Sequence, residues 1–74
     1  MKKWEAFVKS LTTDDCELII CDYEEYRRAG KIGDSLLRRK TREWCDSTIL
    51  YFDNSMMDKL ALECYMRRYH QLKG

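Results

Sequence analysis

Apolar residues return along this chain with the period of an α-helix almost throughout, and no proline interrupts them. Trp4, Phe7, Val8 and Leu11 stand at i, i+3, i+4 and i+7, which places them on one face of a short first helix. Thr12 is suited to cap the next helix: Asp15 follows three residues later, Asp14 adds charge to the first turn, and Leu11 can staple against Cys16. From that cap Cys16, Ile19, Ile20, Tyr23 and Tyr26 form a stripe that runs out near Ala29, where Gly30 supplies a left-handed C-terminal residue. Leu18 and Cys21 fall off the stripe.

Asp34 or Ser35 can cap a third helix whose face is Leu37, Thr41, Trp44, Cys45, Thr48, Tyr51 and Phe52. Asp53 and Asn54 then break the pattern, with Ser55 and Asp58 in capping-box positions for a last helix. That helix is apolar on two sides. Met57, Leu60, Ala61 and Cys64 make one stripe, and Leu62, Tyr65, Met66 and Tyr69 make another, so the helix is either central in a bundle or shared with a partner.

The expected fold is an all-α bundle of three to four short helices. Trp4, Phe7, Ile19, Ile20, Tyr23, Leu37, Trp44, Cys45, Phe52, Leu60 and Cys64 are expected in or near its core. The competing α+β reading pairs residues 18–23 with residues 48–52 as two strands, because both runs are rich in β-branched or aromatic residues. Two strands alone make a poor sheet.

Length and composition narrow the class. Seventy-four residues form a single helical domain, 1–74, and a chain of that size buries only about 60% of its unfolded surface. At 45% apolar and 36% charged, it holds too many core formers to be disordered and too many charges to span a bilayer. The N-terminal segment has no apolar run of signal-peptide length. A cytoplasmic protein is expected, with Cys16, Cys21, Cys45 and Cys64 reduced.

A net charge of +1 conceals a sharp polarity. Between Asp14 and Glu25 lie six acids and no base, whereas between Arg27 and Arg42 lie seven bases and one acid. Much of this is helix electrostatics: Asp14 and Asp15 open the second helix, and Arg27 and Arg28 close it. In the third helix Asp34 with Arg38, Arg39 with Glu43 and Arg42 with Asp46 are i, i+4 pairs, which leaves Lys40 alone. The acids are less well explained. Asp14, Asp15, Asp22 and Glu25 surround Leu18 opposite the core stripe, a pattern that suits either a small protein interface or a cover for the third helix.

Other chemistries have weaker support. A helix, a Gly-containing turn and a helix exposing Ser35, Arg38, Arg39 and Arg42 suit a helix-turn-helix reader of nucleic acid, with Arg67, Arg68, His70 and Lys73 as further phosphate contacts. These four more simply complement the C-terminus of the last helix. The cysteine and histidine spacings match no zinc pattern, although Cys16, Cys45 and Cys64 all lie on core stripes and can converge. No metal or cofactor is assigned. His70 is the only histidine and has no cysteine at i+3 or i+4 spacing, so no catalytic residue is assigned and no enzyme is expected.

The reading that follows is a non-enzymatic protein-binding module, a regulator, adaptor or inhibitor of a larger protein. Leu18, Asp14, Asp15, Asp22 and Glu25 form its contact surface, and Leu62, Met66 and Tyr69 form a self-association surface for a homodimer. A nucleic-acid-binding regulator is the alternative. No membrane partner is expected.

Overall fold

The structure, a computed structural model, describes residues 3–31, 33–47 and 54–73, apart from the side chain of Lys73. Its elements are α1 (Trp4–Lys9), α2 (Thr13–Ala29), α3 (Leu36–Ser47) and α4 (Asn54–Lys73), with no strand among the described residues. The all-α expectation therefore holds. The strand pairing does not, because residues 18–23 lie inside α2, where the Thr12 cap and one continuous buried face favour helix; residues 48–52 lie outside the described residues.

Local signals account for the start and end of α2. The Thr12 hydroxyl accepts the Asp15 N–H at 3.0 Å and the Asp15 carboxylate accepts the Thr12 N–H at 3.1 Å, a reciprocal capping box. At the other end Gly30 adopts φ 77° and donates its N–H to the Tyr26 carbonyl at 2.8 Å. An L side chain at that φ would be strained.

Two other boundaries, the end of α1 and the start of α4, differ from the sequence reading. Helix α1 ends at Lys9, so Leu11 sits beyond it, yet Leu11 is buried all the same. The described part of α3 ends at Ser47, and Thr48, Tyr51 and Phe52 from its expected face lie outside the described residues. Helix α4 already includes Asn54 and Ser55, which moves Ser55 inside the helix and out of the N-cap position.

The core draws on all four helices. Phe7 comes from α1, Cys16, Ile19 and Ile20 from α2, Leu37, Trp44 and Cys45 from α3, and Met57, Leu60 and Cys64 from α4, with Leu11 from the turn after α1. Trp4 and Tyr23 pack only at its edge. Trp4, Phe7 and Trp44 form an aromatic cluster with ring centroids 5.0 to 5.8 Å apart, which fixes α1 to α3. Thr41 is the buried polar residue of the described core, and its hydroxyl donates to the Leu37 carbonyl at 2.8 Å within α3.

The second apolar face of α4, with Leu62, Met66, Tyr69 and Leu72, is left exposed.

Candidate functional site

Most of the acids on α2 are engaged inside the molecule. Asp15 closes the capping box, Glu17 accepts from Arg68 of α4 at 2.9 Å, and Glu25 pairs with Arg28 on the same helix. Asp22 accepts the Leu37 N–H of α3 at 3.2 Å. Glu24 accepts the phenol of Tyr65, and burial followed by the charge of Glu24 raises the Tyr65 pKa above the ordinary tyrosine value. Among the described residues Asp14 alone of the six acids has no such partner; it lies in the first turn, where its charge complements the helix dipole. Leu18 stays 55% exposed in the midst of them. The structure thus places Asp22 on the backbone at the start of α3, not on that helix's basic side chains.

The basic half is paired differently from its sequence spacing. Arg39 faces Asp34 at 3.8 Å, and Lys40 pairs with Glu43 at 3.3 Å, so Lys40 does have a partner. The i, i+3 spacing brings Lys40 within reach of Glu43, while Asp34 draws Arg39 toward the helix start. Ser35 is the N-cap, its hydroxyl accepting the Arg38 N–H at 3.2 Å. Arg38, Arg39 and Arg42 remain exposed on α3.

Two cations of α4 serve other helices. The Arg67 guanidinium donates to the Val8 carbonyl at 3.2 Å and the Leu11 carbonyl at 2.7 Å, closing the C-terminal end of α1. Arg68 reaches Glu17, and Gln71 donates to the Thr13 hydroxyl at 3.4 Å. Neither arginine acts on the end of its own helix. The sequence offers no local signal for these roles, because each contact spans more than 50 residues of chain.

Polar contacts also join α2 and α4 near their middle. The Tyr23 phenol donates to Asp58, and burial first, then this hydrogen bond and the Asp58 charge, raise the Tyr23 pKa. The Cys64 thiol donates to the sulfur of Cys16, and burial followed by that contact pushes the Cys64 pKa up. All four cysteines are thiols, three of them buried and Cys21 exposed. The three-thiol convergence does not form: among the described residues no group of three or more His, Cys, Asp or Glu side chains is placed to hold a metal ion. Separate core-facing stripes fill with hydrophobic neighbours first.

A groove of about 380 Å³ between α1 and α4 is lined by Glu5, Val8, Lys9, Glu63 and Arg67. Arg67 is held by the Val8 and Leu11 carbonyls, and Glu63 accepts the indole N–H of Trp4 at 3.1 Å. The described lining offers neither thiol, hydroxyl nor imidazole. His70, exposed, rests its ring 5.9 Å from that of Tyr69.

No protein-family model, curated protein or solved structure matches this chain. What can be read of a site lies in the surface. Leu62, Met66, Tyr69 and Leu72 of α4 are 58%, 48%, 57% and 83% exposed. Between them Tyr65 is half-buried, its ring edge-on to Tyr23 at 6.4 Å. Leu62, Met66 and Tyr69 are exposed, where their spacing left a central or a shared helix open; Leu72, which continues the same face, escaped the sequence reading. The signal was its offset of ten residues from Leu62. No helix among the described residues is long and apolar enough to cross a membrane.

Proposed function

We propose that the protein is a non-enzymatic protein-binding module, a regulator, adaptor or inhibitor of a larger protein, working in the cytoplasm. The observation that supports this reading is the exposure of five large hydrophobic side chains, Leu18, Leu62, Met66, Tyr69 and Leu72, on the outer faces of α2 and α4. Isolated exposed leucines are ordinary; several on one small chain, outside a filled core, mark contact surfaces.

The larger partner binds at Leu18, with Asp14 and Glu25 as a charged rim. Asp15 and Asp22 lie at the edge of this surface and shape it through the two helix starts they cap. A leucine anchor inside an acidic rim suits a partner with an apolar notch flanked by lysine or arginine. The nucleic-acid alternative draws less support, because Ser35 is taken up as a cap and Arg39 and Lys40 are paired.

The test is capture from the native lysate on immobilised protein, run beside Leu18→Arg. A partner held by the parent protein and lost on the variant supports the reading. Identical captured sets, with both proteins equally helical, refute it.

A further inference from the structure

The second apolar face of α4 has the spacing of a helix-pairing seam. Leu62, Tyr65, Tyr69 and Leu72 stand at offsets of 0, 3, 7 and 10, the a, d, a, d positions of two heptads, and Met66 flanks them. On its other side the same helix already packs Met57, Leu60, Ala61 and Cys64 into the core. Within the seam Tyr65 also packs against the core and Tyr23, whereas Leu62, Met66, Tyr69 and Leu72 are left exposed.

We infer that this seam pairs with the same seam of a second copy, the two α4 helices running antiparallel. The inference rests on the reading of the protein as a binding module and names one of its partners. At the observed exposures Leu62, Met66, Tyr69 and Leu72 present about 500 Å² of surface per copy, near the upper end of what a monomer leaves in a single patch. Complete coverage of two such faces removes at most about 1,000 Å² from water, the lower limit for a specific interface.

A second copy fits for reasons of shape and helix dipole. In an antiparallel pair each a position meets a d position of the partner helix, so Leu62 packs on the partner's Leu72 and Tyr65 on the partner's Tyr69. Both layers follow from one two-fold axis at Arg67, since each pair of positions averages to that residue. Such an axis makes the contact isologous and closed.

The helix dipoles decide the direction: they oppose in an antiparallel pair and align in a parallel one. Glu63, Arg67 and Arg68 are held by α1, α2 and the turn between them, away from the seam.

Sedimentation equilibrium from micromolar to millimolar protein tests the pairing. The parent chain is expected to approach twice 9.0 kDa, and Leu62→Glu or Tyr69→Lys to weaken the association at least about tenfold with unchanged helicity. A parent chain that stays at 9.0 kDa throughout overturns the inference. Orientation is read in a Cys21→Ser background by mixing Leu62→Cys and Leu72→Cys chains with glutathione disulfide, which takes up the two electrons and two protons as the protein disulfide forms. Mixed 62–72 dimers are expected to dominate; a predominance of 62–62 and 72–72 dimers overturns the antiparallel arrangement. Because Leu18 lies on α2, a monomeric chain that still loses its larger partner on Leu18→Arg refutes the dimer alone, and a dimer with no Leu18-dependent partner refutes the module reading alone.

Discussion

Asp22, in the middle of α2, accepts the backbone N–H of Leu37 at 3.2 Å, and thereby caps a helix that begins 14 residues later in the chain. With the Ser35 hydroxyl on the Arg38 N–H, two of the orphan donors at the start of α3 are satisfied, one locally and one from another helix. Arg67 does the converse for the end of α1. These two contacts, a carboxylate at a helix start and a guanidinium at a helix end, each suit the local dipole.

Asp22→Ala is expected to destabilise the fold by about 1 kcal/mol, the usual effect of losing a cap, and Asp22→Asn by less, since its amide oxygen can still accept. Urea unfolding followed by circular dichroism measures both. An Asp22→Ala midpoint equal to that of the parent would show that the contact contributes nothing.

Removal of the Arg67 guanidinium in Arg67→Met keeps the apolar stem but leaves the Leu11 carbonyl without its charged donor. The expected loss is about 2 kcal/mol, and Trp4 and Trp44 fluorescence should respond, because α1 is the element released. Unchanged stability with unchanged fluorescence would refute the clamp.

Thiol labelling of the native protein should be confined at first to Cys21, the exposed cysteine. Cys16, Cys45 and Cys64 are buried and should react more slowly by a factor of about 100 or more, at a rate set by opening of the core. Mass spectrometry of a timed alkylation distinguishes one rapid adduct from several.

Stability should fall as the solution becomes alkaline. The raised Cys64 pKa, and the raised Tyr23 and Tyr65 pKa values, mean that the folded state holds protons the unfolded chain releases. The contribution is fully present below the unfolded values, about 8.5 for the thiol and about 10 for the phenols, and is lost as pH rises beyond them. Thermal midpoints between neutral pH and the alkaline limit should decline first in the thiol range. Cys64→Ala should flatten that first part of the decline and leave the phenol part in place.

The sequence by itself determined the helices and the inward side of α1, α2 and α3. Thr12, Asp15 and Gly30 bound α2 through contacts within a few residues, and the stripes through Phe7, Ile19 and Leu37 turn inward because apolar spacing at the helical period leaves one face to bury. It also showed that α4 is apolar on two sides. Only the tertiary structure decided which side is covered, since coverage depends on where the other helices pack around α4. The charges divide in the same way. Glu25 with Arg28 is legible because the partners share a turn, whereas Asp22 on Leu37, Glu17 on Arg68 and Arg67 on Leu11 join positions far apart in the chain. Periodicity carries no distance between helices, so those contacts exist only once the helices have packed.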